Sequence, residues 1–153
     1  MRLFFNKAEV IREIGKTNAQ VFGAFGRDVR REGQTSIKSG GRKEVQSAPG
    51  QPPRSHSGRL KRGILFASDP LTRRVVIGPI LQPPTFVDGD GQPLGNDTIP
   101  SVLEHGGSIY NTVRRGKRIE KQVVKIAPRP YMTPALGKVL PRVPSLYKKY
   151  GRR

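Results

Sequence analysis

The chain of 153 residues contains no cysteine and only two histidines. Without thiols there is no disulfide scaffold, thiolate zinc site, iron–sulfur cluster or cysteine nucleophile. His56 and His105 stand too far apart for the paired histidines of a metal-binding helix. No apolar run approaches the ~20 residues that a membrane span requires. The apolar stretch within Met1–Lys7 is too short for a secretory signal, so the reading is of a soluble chain made and kept in a cytoplasm. Aromatic residues are few, at 7%. Acids are scarcer than bases, 11 Asp and Glu against 29 Lys and Arg, for a net charge of +18.

What is present is enough for one modest domain. Leu, Ile, Val and Phe make up about a quarter of the chain, above the ~20% below which disorder is expected. With 18 Gly and 14 Pro, long loops are expected around a small core. The surplus of positive charge points to a polyanion or an acidic protein surface as partner. That charge is unevenly placed. Between Val75 and Val113 there is no Lys or Arg, while Asp88, Asp90, Asp97 and Glu104 make the segment net −4 and leave +22 for the remainder. From Lys121 to Arg153 there are nine basic residues and no acid. Segregation of this kind suits the docking of one copy against another through opposite charges.

Periodicity predicts the elements. Val10, Ile11, Ile14, Val21, Phe22, Phe25 and Val29 recur at three- and four-residue steps, the inner face of an amphipathic helix. Asn6 caps it, Glu9 completes a capping box, and Gly33 is the expected stop. The breaker-rich stretch Ser39–Gly58 has too little apolar content to fold alone and is predicted to order only against a partner. Leu60–Ala67 and Arg73–Ile80 read as a hairpin turned at Asp69-Pro70. After a second loop, Gln82–Asp97, a short helix follows with Asp97 or Thr98 as cap, Pro100 early and Gly106-Gly107 at its end. Lys117–Ile126 reads as a strand, broken by Pro128-Arg129-Pro130. A last helix opens at Thr133-Pro134 and is cut short by Pro141 and Pro144. The expected fold is α+β: a small, mostly antiparallel sheet packed by the first and last helices, in one domain over 1–140, with a basic tail over 141–153.

Catalytic chemistry has no foothold. Gly40-Gly41-Arg42-Lys43 lacks the spacing of a phosphate-binding loop, and neither a nucleophile elbow nor a zinc-protease helix occurs. The Asp88–Gly91 stretch misses the EF-hand spacing and reads as a turn. His105, beside two glycines, reads as a helix-end residue rather than a general base. No enzyme activity, cofactor or metal is expected. Polyanion binding is better supported: Arg42, Lys43, Arg54, Arg59 and Lys61 lie on or beside the first long loop as candidate phosphate contacts. No aromatic residue interleaves them, so contact with the nucleic-acid backbone, blind to sequence, is the expected mode. The tail residues Lys148, Lys149, Arg152 and Arg153 form a second basic group, suited to docking an acidic neighbour. A ribosomal-type RNA-binding protein would share these compositional features and is the alternative reading.

Three segments occur in a meaningful order: Pro49-Gly50-Gln51-Pro52-Pro53 followed by Ser57-Gly58-Arg59-Leu60-Lys61, then Val102-Leu103-Glu104-His105-Gly106-Gly107, then Ala127-Pro128-Arg129-Pro130-Tyr131-Met132-Thr133-Pro134-Ala135-Leu136. They resemble the "PGxPP…tGxLk", "yvEyGt" and "pxRPFmxPAl" patterns of the small neck proteins of long-tailed bacteriophages, the head–tail joining or tail-completion family. The resemblance spans roughly residues 1–140. It implies a virion component whose copies form a ring between portal and tail around the DNA channel, with portal-side and tail-side proteins as neighbours and no membrane. In that setting Glu104 presents a carboxylate where backbones approach closely. Arg129, held extended between two prolines, is suited to a bidentate carboxylate pair. Glu104, Arg129, Asp88, Asp90 and Asp97 are thereby the candidate subunit-interface residues. Tyr131 and Met132 are expected to anchor the last helix to the core.

Overall fold

A computed structural model describes residues 6–40, 46–55, 57–69, 72, 74–80, 98–115 and 118–151. The fold is α+β, with small sheets of two strands each rather than one sheet. Helix α1 runs Lys7–Ser36, with the Asn6 side chain accepting from the Glu9 amide at 3.3 Å as its cap. Strand β1 (Lys38–Ser39) pairs in parallel with β2 (Arg54–Ser55). A single turn, α2 (Arg59–Arg62), leads into β3 (Ile64–Asp69), which pairs antiparallel with β4 (Arg74–Pro79). Helix α3 (Ile99–His105) is followed by β5 (Gly107–Arg115) and β6 (Arg118–Ile126), a nine-rung antiparallel hairpin. Helix α4 (Met132–Val139), a 3₁₀ turn (Leu140–Arg142) and α5 (Val143–Tyr150) close the chain.

Helix α1 is the spine. Its Phe25 and Val29 pack with Val139 of α4, and Val75 and Ile77 of β4 and Val143 and Leu146 of α5 close over them. A second cluster joins Ile37, Leu60, Ile64 and Tyr131, with Leu103 at its margin. Met132 touches both clusters and links them, a place where an unbranched thioether fits irregular space well. Each fully buried aliphatic side chain here contributes about 1.5–3 kcal/mol. The approach of β3 to α1 depends on one glycine: a methyl group on Gly26 would run into the Phe66 ring.

Several sequence expectations are corrected. Gly33 does not stop α1; it is buried within the helix, where an added Cβ would lie 3.1 Å from the Met132 sulfur. Ile11 and Ile14, expected on the inner face, are 53% and 50% exposed, because the first turns of α1 extend past the core. Residues 59–62 form a helical turn before the strand begins. Strand β5 was not anticipated, although Ile109, Tyr110, Thr112 and Val113 favour a strand. Residues 141–150, expected as a tail outside the domain, continue as helix. Pro141 and Pro144 occupy first-turn positions, which a proline tolerates because no intrahelical N–H is needed there. Residues 46–55, expected to order only against a partner, are tied into the fold: β2 pairs with β1, and Pro53 and Ser55 are buried.

Candidate functional site

The end of α3 brings Glu104 to the first turn of α4. Its carboxylate accepts from the backbone amides of Tyr131 at 2.9 Å, Met132 at 3.0 Å and Thr133 at 2.7 Å. These amides are among the donors that a helix start leaves without an internal partner, and Tyr131, the residue at the cap position, makes no side-chain capping bond of its own. Partial burial pushes the Glu104 carboxyl up, but the three amide donors outweigh it and hold the group below its ordinary value of 4.5. Glu104 reaches α4 because α3 stops cleanly. Gly106 adopts a left-handed φ of 79°, and a Cβ there would press on Pro128 at 3.0 Å.

Arg129 sits beside this junction with different partners. Its Nε donates to the Ser47 carbonyl at 3.0 Å and a terminal nitrogen to the Gln46 side-chain oxygen at 3.3 Å, while its amide donates to the Leu103 carbonyl at 2.6 Å. The carboxylate partner expected for Arg129 is absent among the described residues, since Glu104 is committed to α4 and the Ser47 carbonyl and Gln46 side chain reach the guanidinium instead. The Gly50 amide donates to the Pro128 carbonyl at 2.8 Å. The 46–53 segment, the end of α3 and the 127–133 segment are thereby laced into one polar junction.

Outside the junction lies a basic groove. Two adjoining hollows of about 500 and 220 Å³ share Gln46, Ser47 and Arg54 as lining. Lys125 and Arg129 line the larger, at the base of β6, and Lys38 lines the smaller. Among the described residues, no acid lines either one. Of the phosphate-contact candidates, Arg54 is on β2 in this groove. Arg59 and Lys61 are on α2, outside its lining. Sequence reasoning missed Lys38 and Lys125, which become neighbours of Arg54 only through long-range folding. Lys148 and Lys149 are on α5, remote in sequence from the groove, with Lys149 5.3 Å from the Tyr150 ring centre. Arg42, Lys43, Asp88, Asp90, Asp97, Arg152 and Arg153 lie outside the described residues.

The described acids are mostly on α1, where two pair within the helix and a third reaches the 3₁₀ turn. Glu13 meets Lys16 at 2.8 Å, Asp28 meets Arg31 at 3.3 Å, and Glu32 meets Arg142 at 3.6 Å. Among the described residues, no group of three or more His, Asp or Glu is arranged to hold a metal, and no helix is long and apolar enough to cross a membrane. Comparison with protein-family models, curated proteins and solved structures finds no match for the chain.

Proposed function

We propose that this chain is a structural virion protein of a tailed bacteriophage, one of the neck proteins that form a ring around the DNA channel between portal and tail. The observation that supports this best is the polar junction. The three segments that resemble neck-protein patterns are hydrogen-bonded to one another: Glu104 accepts from the amides of Tyr131, Met132 and Thr133, the Arg129 amide donates to Leu103, and the Gly50 amide donates to Pro128. The β5–β6 hairpin brings the second and third segments together, and the Gly50–Pro128 bond adds the first, which lies far from them in sequence.

On this reading the junction holds the subunit together, and contacts between subunits fall to charge. The segment with Asp88, Asp90 and Asp97 meets the basic surface of the next copy, and Lys148, Lys149, Arg152 and Arg153 dock an acidic neighbouring ring. Negative-stain imaging of the purified protein tests the proposal: rings are expected, and sedimentation should show them loosening as salt rises or when Asp88 and Asp90 are changed to Lys. A monomer that co-purifies with ribosomal RNA, and prefers it about a hundredfold over duplex DNA, would replace this reading with the ribosomal-type one.

A further inference from the structure

We infer that the groove of Lys38, Arg54 and Lys125 is a seat for the phosphodiester backbone of duplex DNA. The inference rests on the neck reading for the identity of the polyanion and on the groove itself for the site. Lys38 and Arg54 are direct partners in the parallel β1–β2 register. Neighbouring strands lie about 4.8 Å apart, so two cations are held side by side on adjacent strands. Like charges opposite one another destabilise a sheet pair. Four cations of the described residues, Arg12, Lys16, Arg31 and Arg142, are paired with an acid of α1; what sets Lys38 and Arg54 apart is that they stand opposite each other. The Lys38, Arg54 and Lys125 side chains have no hydrogen bond or ion pair with any described residue.

A repulsive pair kept without compensation is relieved by an anion, and the groove supplies the other parts of an anion site. Arg129 adds a fourth positive charge, fixed in place by Ser47 and Gln46. Ser47, in the wall between the hollows, has a buried hydroxyl with no hydrogen-bond partner among the described residues. The cations are strung along an open groove instead of converging on one point, which suits successive phosphates of a polymer better than one small ion. Among the described residues, no aromatic ring lines the groove beside them, so contact is with the backbone and indifferent to sequence.

The test is binding of mixed-sequence duplex DNA by fluorescence anisotropy over a salt series. It compares wild type, a groove variant (Lys38→Ala, Arg54→Ala, Lys125→Ala) and an equal-charge control at exposed positions of α1 and α4 (Lys7→Ala, Arg27→Ala, Lys138→Ala). Three lost phosphate contacts lower the log–log salt slope by about 2.7 and weaken binding about a hundredfold or more at about 0.1 M salt. The control should stay within about threefold of wild type. Circular dichroism checks that each variant folds, and Lys125→Glu alone, on an exposed strand position, should weaken binding in the same direction if the triple variant does not fold. Equal losses in groove variant and control would overturn the site, because net charge alone would then explain binding. Competition by inorganic phosphate or polyglutamate as effective as competition by duplex DNA would overturn it too, showing a single-ion or protein-docking surface. Imaging the same samples separates the two proposals: rings that bind no DNA refute the groove and leave the neck reading standing, whereas absence of rings refutes the neck reading.

Discussion

Removing the Glu104 carboxylate should cost more than any exposed substitution in this protein, and the cost should depend on pH in a defined direction. In Glu104→Ala, three amides at the start of α4 lose an ionised acceptor. Two of these bonds, to Tyr131 and Met132, are partly buried. A hydrogen bond to a charged group contributes about 1.5–3 kcal/mol, and helix-capping losses run about 0.5–2 kcal/mol. The three bonds share one carboxylate and water reaches the Thr133 amide, so a total of about 2–4 kcal/mol is expected, or roughly 5–15 °C in Tm for a chain of this size. Glu104→Gln keeps an acceptor but loses the charge, at about 1–2 kcal/mol. Because the folded-state pKa of Glu104 lies below 4.5, its contribution is complete above the unfolded carboxyl pKa and is lost as pH falls through the folded value. Urea denaturation at pH 7 and near pH 3 reads both effects. The wild-type advantage over Glu104→Gln should shrink in acid. A gap that is the same at both pH values, or a cost for Glu104→Ala under about 0.5 kcal/mol, would refute the account of the α4 start.

The glycines of α1 give a paired test by thermal melting. Gly15→Ala has nothing within 4 Å of the new methyl and should stabilise by about 0.5–1 kcal/mol through helix propensity. Gly26→Ala gains the same propensity but strikes the Phe66 ring and should destabilise by about 1–3 kcal/mol net. Tyr131→Phe removes a buried hydroxyl with no partner among the described residues, so denaturation should show it neutral or up to about 1 kcal/mol more stable. The pattern that this segment resembles carries Phe at that position.

The parts of the fold legible in the sequence were those decided locally. The Asn6 cap, the β3–β4 pairing, the cap of α3 (Thr98, of the two residues the sequence offers) with Pro100 after it, and the Gly106 stop each depend on residues within a few positions of one another. Three readings failed for physical reasons. Gly33 has the chemistry of a helix terminator, but close packing against Met132 and Ile64 makes a missing side chain useful inside the helix. Pro141 and Pro144 do cut α4 short at Val139, as expected, but each also opens a new helical segment, so the stretch expected as a tail outside the domain packs back on α1 through Val143 and Leu146. Residues 46–55 are poor in apolar side chains and looked unable to order. They are held largely by polar bonds to residues some eighty positions away, such as Arg129 to Ser47, which composition does not register.

Charge shows the same division between local and distant information. Along the chain the salient feature is an acidic stretch between basic flanks. Among the described residues in space, acids on α1 pair with four cations, and the uncompensated ones include a cluster at the β1–β2 edge and the base of β6. The second pattern follows from the first only once folding is known, since Lys38, Arg54 and Lys125 occupy three separate segments. The junction that brings those segments together is the one held by Arg129, whose guanidinium fixes Gln46 and Ser47 in the groove wall. Arg129→Ala should therefore affect two properties at once. It lowers stability by releasing the 46–53 segment, and it widens the spacing of the groove cations so that the salt slope for duplex DNA falls by more than the ~0.9 owed to one lost charge. A fall of only ~0.9 in that slope, with stability reduced, would mean that the junction supports the fold without shaping the groove.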